Sequence, residues 1–323
     1  MAPQRISSSV SQSNQSTNDL SVDVLDTQVS KIPQTPAYTN YDEMSEVDKG
    51  AAAAVAADAV PLSRFATHNP HLRECLAEFL GTWVMICFGF GVNNQVDLNP
   101  DGSKGTWLSI NMCWGIAVLL GVHCSEGVSG AHLNPAVSVT MATFKRLPWQ
   151  KVPGYVLAQL LGAFVGAWTI FLLHYQTLDA VDPDRTFTRS HFATYPRKGL
   201  NNYTAFYTEF LASAMLTLGV FCITDKKNRP ASPFGAPVHF MLLIWALGMA
   251  FGMNTGYAIN PARDFAPRLF TALAGWGFKV FTLNHHYFWI PIVAPCMGGV
   301  VGGAIYKLFV ENHHPRAPSP LPL

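Results

Sequence analysis

The sequence predicts an all-α membrane protein with six transmembrane helices and two half-helices, arranged as an inverted repeat. Charged residues make up only 13% of the 323 residues, whereas a typical soluble domain has roughly 25%. The apolar residues form blocks about 20 residues long, the length at which a helix crosses a bilayer core of about 30 Å. The tripeptide Asn-Pro-Ala occurs twice, at 134–136 and 260–262. These three features favour a polytopic membrane protein built from two related halves.

Six apolar segments are long enough to span a bilayer. They lie roughly at residues 73–95, 107–124, 151–174, 203–224, 236–254 and 287–310. Two shorter apolar segments, of about 10 residues each, follow the two Asn-Pro-Ala motifs and are too short to cross. We therefore expect one membrane domain at 72–310, with repeats at about 72–174 and 203–310. Glycine clusters at 162–166 and 298–303 are expected to permit close helix packing.

The two ends of the chain differ from this membrane domain. Residues 1–71 are rich in polar residues and contain no apolar stretch of spanning length, which predicts a disordered tail and no cleavable signal sequence. Residues 311–323 are expected to form a second, short tail. Lys and Arg are concentrated in the loops at 145–151 and 226–229. Because basic loops remain in the cytoplasm, both tails are expected to be cytoplasmic.

The halves also share a glutamate. Glu78 opens the first span in Ala-Glu-Phe-Leu, and Glu209 opens the fourth in Thr-Glu-Phe-Leu. Three spans per half is an odd number, so the second half inserts with the opposite orientation. Inverted repeats of this kind place their functional site near the bilayer midplane, at broken helices. A proton relay is one interpretation of these carboxylates; the one we prefer is structural hydrogen bonding to the backbone of the broken segments.

The two Asn-Pro-Ala motifs are predicted starts of the half-helices, because Asn is a preferred N-cap and Pro suits the first helical position. The residues before each motif include glycine and should be extended. Such backbone is tolerated at membrane depth only where it is buried or lines a wet cavity. The motif residues are Asn134, Pro135, Ala136, Asn260, Pro261 and Ala262. The residues predicted to offer carbonyl oxygens to a pore are Gly130, Ala131, His132, Gly256 and Ala258.

Half-helices that enter from opposite sides direct their N-termini at one central point. Each N-terminus carries roughly half a positive charge, so the centre is expected to repel protons and cations. The amides of Asn134 and Asn260 can donate hydrogen bonds to a neutral molecule there. The residues therefore favour a pore for water or small uncharged hydroxylated solutes.

Other classes of function fit the sequence less well. No nucleophile–base pair and no metal-ligand set stands out, so we expect no enzyme activity, no catalytic residue, no metal and no cofactor. The net charge of +1 gives no reason to expect a nucleic-acid partner. Two alternatives remain open: an active transporter that uses Glu78 and Glu209 as proton sites, and a closed structural or sensing membrane protein.

The paired motifs, Arg263 behind the second motif and the two glutamates make residues 72–310 resemble the major intrinsic proteins. Within that family the chain looks like an aquaglyceroporin of the glycerol-facilitator type, and its long N-terminal tail is similar to that of fungal members. The resemblance implies the aquaporin fold with one pore per subunit. It also implies a homotetramer embedded in lipid, with the plasma membrane as the expected location.

The resemblance further implies which residues form the selectivity filter at the outer constriction. They are Trp114 in the second span, Gly248 in the fifth, Tyr257 before the second motif, and Arg263 after it. Water channels of this family have a histidine where Gly248 stands, so the glycine implies a wider filter. Trp114 and Tyr257 would supply aromatic walls and Arg263 the hydrogen-bond donors, while Asp264 is expected to be structural.

The function implied is passive permeation of glycerol, water and other small neutral solutes, with protons and ions excluded. The filter departs from bacterial glycerol facilitators at Tyr257, where they have Phe. Its hydroxyl is expected to narrow or polarise the filter, which leaves a water-dominated channel with poor glycerol permeation as the alternative. Replacement of Gly248 by His is expected to favour water over glycerol.

Overall fold

The computed structural model describes residues 66–99, 101–232 and 235–315. Most of the predicted N-terminal tail, up to residue 65, lies outside these residues. The described part of the chain contains eight helices that are at least nine residues long. They are α1 (Pro70–Asp97), α2 (Trp107–Ser129), α3 (Pro135–Thr143), α4 (Val152–Val181), α5 (Asn202–Thr224), α6 (Ala236–Phe251), α7 (Pro261–Thr271) and α8 (Ile290–Phe309).

Six of these helices coincide with the predicted spans, which confirms the all-α membrane fold. Five lie in helical stretches that are long and apolar enough to cross a membrane. The exception is α6, which has 16 residues and is therefore about 24 Å long. It ends where two aromatic rings approach the backbone: a Cβ on Gly252 would lie 2.5 Å from the indole of Trp107 and 2.9 Å from the ring of Tyr257.

The two predicted repeats pack their helices in the same way. In the first half α1 packs against α2 and α4, and in the second half α5 packs against α6 and α8. The half-helices α3 and α7 have 9 and 11 residues. Each contacts the last long helix of the opposite half, α3 against α8 and α7 against α4. The two halves are therefore interlocked through the half-helices.

Glycine allows the long helices to approach each other closely, as predicted. A Cβ on Gly298 would lie 2.0 Å from the carbonyl oxygen of Phe210, and one on Gly302 would lie 1.9 Å from another carbonyl oxygen of α5. Gly162 has the corresponding position between α4 and α1, where a Cβ would lie 2.5 Å from the carbonyl oxygen of Phe79. Any side chain at these positions would push the helices apart.

The residues after α8 are held against two basic loops. Nη2 of Arg146 lies 2.9 Å from the carboxylate of Glu311, and His314 pairs with Asp225 at the end of α5. The start of the predicted C-terminal tail is therefore bonded to the loops that follow α3 and α5.

Candidate functional site

Both half-helices begin at their motif asparagine. Asn134 has extended backbone, and its side-chain oxygen accepts the N–H of Ala136 at 2.8 Å. Asn260 caps α7 in the same way, with the N–H of Ala262 at 3.0 Å. The proline of each motif occupies the first helical position, where a missing N–H has no cost. The local chemistry of the motif thus fixes where each half-helix starts.

The side-chain amides of the two asparagines cross to the opposite half. Nδ2 of Asn134 donates to the carbonyl oxygen of Ile259, and Nδ2 of Asn260 donates to that of Leu133, both at 2.8 Å. The half-helices therefore meet N-terminus to N-terminus. Because a primary amide has two N–H donors, each asparagine retains one for a molecule in the adjoining cavity.

Residues in the left-handed region recur in the backbone before each motif. Ala131 and Leu133 have φ angles of 50° and 52°, and Tyr257 and Ile259 have φ angles of 40° and 43°. The left-handed region costs a residue other than glycine about 1–2 kcal/mol. The two broken segments thus carry the same strain at equivalent positions, and they need support from elsewhere in the fold.

Two fully buried carboxylates provide this support. Glu78 accepts the N–H groups of His132 at 2.9 Å and Leu133 at 2.7 Å. Glu209 accepts the N–H groups of the two residues before Asn260, at 2.9 and 2.8 Å. These bonds satisfy the carboxylates, which would otherwise be costly at membrane depth. The geometry favours the structural interpretation of both glutamates over a proton relay.

A narrow cavity of about 160 Å³ runs beside both broken segments and both motif asparagines. Residues four apart on α2, from Trp114 to Glu126, line one side of it, so it follows that helix for about 18 Å. Further apolar lining comes from Met85, Val137, Met141, Leu216, Val220, Phe240, Leu243 and Ile244. One side of the cavity is therefore mainly apolar, while the broken segments supply backbone and amide groups to the other.

Four of the five residues predicted to offer carbonyl oxygens border this cavity. They are Gly130, Ala131, His132 and Ala258. The fifth, Gly256, borders a second and more open cavity together with Trp107, Tyr195 and Arg197. The residues of the predicted carbonyl ladder are thus divided between two cavities.

Three of the predicted filter residues, Trp114, Tyr257 and Arg263, line the narrow cavity together. The guanidinium carbon of Arg263 lies 4.6 Å from the ring centre of Trp114 and 5.2 Å from that of Phe90. Nη1 of Arg263 and the hydroxyl of Tyr257 are buried and have no hydrogen-bond partner within the described residues. Since buried polar atoms normally have a partner, both are suited to bind a solute.

The fourth filter residue, Gly248, differs from the expectation. It does not border the cavity, because the side chain of Tyr257 lies against it. A Cβ on Gly248 would be 2.5 Å from Cζ of Tyr257 and 2.2 Å from Oδ1 of Asn111. The glycine therefore leaves no open space in the filter. The room that it provides is taken by Tyr257.

Asp264 bonds to the loop before α5. One carboxylate oxygen accepts Nε of Arg268 at 2.9 Å, and the other accepts the N–H and the hydroxyl of Thr194 at 2.8 and 2.6 Å. Arg268 also donates to the carbonyl oxygens of Thr194 and Val280. Because Asp264 pairs with Arg268, the guanidinium of Arg263 is left facing the cavity.

The sequence pattern of the major intrinsic protein family matches residues 65–306. The chain belongs to this family. Aquaporin-9 of Mus musculus is 43% identical over 259 residues, which cover 78% of this chain and 88% of the relative. Aquaporin-6 of Laccaria bicolor is 42% identical over 247 residues, which cover 73% and 79%. The predicted family and its aquaglyceroporin-type resemblance are thereby confirmed.

A solved structure of the family has the same fold. The X-ray structure of the aquaglyceroporin from Plasmodium falciparum matches with a TM-score of 0.69 and 33% sequence identity, covering 74% of this chain and 97% of that chain. This match and the membrane-length helices establish a multi-pass integral membrane protein with the aquaporin fold.

The residues that hold Trp114 in place in this major intrinsic protein were not predicted from the sequence. Nε1 of Trp114 donates to Oδ1 of Asn93 at 3.1 Å, and the amide of Asn93 donates to the carbonyl oxygen of His191 at 3.3 Å. Nδ1 of His191 lies 3.1 Å from Oδ1 of Asn94. Adjacent asparagines in an apolar span were the available signal, since buried amides are costly unless they are hydrogen-bonded.

The loop between α4 and α5 is ordered by a buried acid. Asp182 accepts the N–H groups of Thr186, Phe187 and Thr188 at 2.7 to 2.9 Å. Burial alone would raise the pKa of Asp182, but these hydrogen bonds outweigh it and hold the pKa well below its usual range. In the same loop, burial lowers the pKa of His191 to about 4. This loop carries the backbone carbonyl that anchors Asn93, and through it the filter.

Proposed function

We propose that this member of the major intrinsic proteins is a passive channel for glycerol and water that also admits other small neutral solutes. The observation that carries this proposal is the narrow cavity, which passes both motif asparagines and contains the unpartnered Nη1 of Arg263. Apolar groups on one side and backbone and amide groups on the other suit a polyol, whose carbon and hydroxyl edges differ in the same way. The aquaporin and aquaglyceroporin relatives support this class of solute.

Protons and ions are excluded at the centre of the cavity. The N-termini of α3 and α7 meet there, and each carries roughly half a positive charge. The free N–H groups of Asn134 and Asn260 bind the oxygen of a neutral solute at the same point. The charged guanidinium of Arg263 adds a second barrier to cations, and its buried donors bind a hydroxyl oxygen instead.

The filter consists of Trp114, Tyr257 and Arg263, and Gly248 makes room for Tyr257. Trp114 and Tyr257 contact the carbon edge of the solute, while Arg263 donates to its oxygens. One observation favours the water-dominated alternative: the side chain of Tyr257 occupies the space beside Gly248, so the filter is narrower than a glycine at that position suggests. Glycerol flux therefore decides between the two candidates.

The test is light scattering from proteoliposomes that contain the full chain. After a hyperosmotic glycerol step the vesicles shrink and should then swell again as glycerol enters, with no pH gradient and no membrane current. Fast shrinkage without re-swelling would favour the water-dominated alternative. Uptake that requires a proton gradient would contradict a passive channel and support Glu78 and Glu209 as proton sites. Empty vesicles, and sorbitol in place of glycerol, are the controls.

The channel is a homotetramer in contact with lipid, in the plasma membrane, with both tails in the cytoplasm. Large exposed apolar side chains such as Leu173 and Phe309, each 70% exposed, support contact with lipid or neighbouring subunits. The basic loop at 145–151 and the C-terminal segment share one end of the molecule through Arg146 and Glu311, which supports a cytoplasmic C-terminus. Cross-linking in native membranes tests the tetramer, and protease access to the tails in sealed vesicles tests the orientation.

A further inference from the structure

A buried polar side chain lies beside the proposed filter, outside the cavity lining. Asn111 of α2 is fully buried. Its Nδ2 donates to the carbonyl oxygen of Trp107 at 2.9 Å, but its Oδ1 has no hydrogen-bond partner within the described residues. The hydroxyl of Tyr257 is also buried without a partner there. Asn111 was not among the residues predicted to form the filter.

These two atoms lie on either side of one small space. A Cβ on Gly248 would lie 2.2 Å from Oδ1 of Asn111 and 2.6 Å from the hydroxyl oxygen of Tyr257. The structure has no hydrogen bond between the two atoms. Because glycine places no side chain between them, a rotation of the hydroxyl and a small shift of either side chain can form one. The amide oxygen is purely an acceptor, and the hydroxyl has one hydrogen to donate and two lone pairs. The pair is therefore chemically complementary.

The third unsatisfied atom of the filter, Nη1 of Arg263, is a donor. It cannot accept the hydroxyl hydrogen of Tyr257, whereas Oδ1 of Asn111 can. If that hydrogen points to Asn111, the lone pairs of Tyr257 are left for the solute. The filter then presents a donor at Arg263 and an acceptor at Tyr257. A solute hydroxyl can accept from the first and donate to the second.

We propose that Asn111 is a positioning residue of the filter. Its Oδ1 accepts a hydrogen bond from the Tyr257 hydroxyl, which leaves the hydroxyl oxygen of Tyr257 as a hydrogen-bond acceptor for neutral polyols. Gly248 is part of this arrangement because it leaves room for the bond. The inference rests on the proposed function, since it specifies how glycerol is selected. Water depends less on this acceptor, because a water molecule in a file keeps hydrogen bonds to its neighbours. Asn111 thus affects the ratio of glycerol to water flux.

A double-mutant cycle in proteoliposomes tests this proposal. Asn111→Leu, Tyr257→Phe and the double variant are compared with the wild-type chain for glycerol and water flux. Each single variant should lower the glycerol-to-water ratio by about three- to tenfold, the value of one net hydrogen bond. The double variant should equal the single ones, because Asn111 acts only through the hydroxyl of Tyr257. A purely structural role for Asn111 would give additive losses and would change water flux equally.

The outcomes separate the inference from the proposed function. If the wild-type chain passes no more glycerol than empty vesicles, the proposed function is wrong. If it passes glycerol and Asn111→Leu leaves the ratio unchanged, or lowers it further in the Tyr257→Phe background, the inference alone is wrong. Should Asn111→Leu fail to fold, Asn111→Ala offers a second route, because it removes Oδ1 without adding bulk beside Gly248. The fall in the glycerol-to-water flux ratio that it causes should likewise disappear in the Tyr257→Phe background. If that fall persists there, the inference is wrong.

Discussion

Asn134 and Asn260 each donate a hydrogen bond of 2.8 Å to the carbonyl group of the residue that precedes the other. The bonds are reciprocal, so neither half-helix can shift without breaking the contact made by its counterpart. The same side chains cap their own helices through their oxygens. Each asparagine thus fixes the start of one half-helix and the position of the other, which leaves one N–H of each amide for the solute.

Replacement of Asn260 by Asp is expected to weaken the barrier to protons. Asp caps a helix about as well as Asn, so α7 should still begin at the same residue. Its negative charge would offset the two half-charges of the facing N-termini. Proton entry, followed with a pH-sensitive dye in proteoliposomes at clamped potential, should rise at least about tenfold, which needs only about 1.4 kcal/mol of barrier.

Two further variants show whether this effect belongs to the motifs. Asn134→Asp should increase proton entry in the same way, because it occupies the equivalent position. Asn201→Asp is the matched control: Asn201 caps α5 through its side chain, with the N–H of Thr204 at 2.8 Å, and does not border the narrow cavity. It should leave proton entry at the wild-type level. If proton entry in Asn260→Asp stays at the wild-type level, the barrier to protons is to be assigned to Arg263 instead.

The buried ion pair between Asp264 and Arg268 is expected to be essential for stability. Arg268→Met would leave the carboxylate of Asp264 buried without its cation, a change that typically costs about 3–5 kcal/mol. Lys307→Met is a matched control, because Lys307 and Glu311 have the same spacing of four residues but are partly exposed. Its effect should be about 0–1 kcal/mol. Denaturant unfolding in detergent measures both, and equal losses would contradict the assigned role of burial.

The parts of the fold that could be predicted from sequence depend on local signals. Asn followed by Pro and Ala combines a preferred N-cap with a preferred first helical residue, so both half-helices were found from three residues each. A glutamate in an apolar span must find donors, and the strained N–H groups of the broken segments were the evident ones. In both cases the physical cost is visible in the residue itself.

The filter could not be predicted in the same way, because it depends on contacts between distant segments. Glycine at 248 suggested open space, but the side chain of Tyr257 fills that space from another segment. Trp114 is oriented by Asn93, which is held in turn by the carbonyl group of His191. Propensity and periodicity do not specify which side chain enters a gap left by a distant glycine.

Gly248→His alone is expected to impair the channel rather than convert it into a water channel. A Cβ there would lie within 2.6 Å of atoms of Asn111 and Tyr257, and overpacking of this kind costs about 1–3 kcal/mol or more. Combined with Tyr257→Ala, the imidazole can occupy the space of the lost ring. The double variant should then pass water and exclude glycerol.

The ratio of glycerol to water flux measures this conversion. Tyr257→Ala is the control, since removal of the ring without added bulk should raise glycerol flux. If Gly248→His alone folds with wild-type stability and lowers glycerol flux selectively, the contact between Tyr257 and Gly248 is not restrictive, and the filter is as wide as the sequence suggested.

The stability of the loop between α4 and α5 is expected to fall in mild acid because of His191. Burial lowers its pKa to about 4 in the folded protein, whereas an unfolded histidine has a pKa of about 6.5. Between these values the unfolded chain binds more protons, so stability falls as the pH falls. The contribution is complete above about pH 6.5, and about 2 kcal/mol should be lost at pH 5.

His191→Asn retains a donor toward Asn94 and removes the titration, so it should flatten this dependence of stability on pH. His286→Asn, at an exposed position with a φ of 61° that Asn tolerates, should leave it unchanged. Melting temperatures in detergent at pH 7.5 and pH 5 test this, and an undiminished pH dependence in His191→Asn would assign the acid sensitivity to another group.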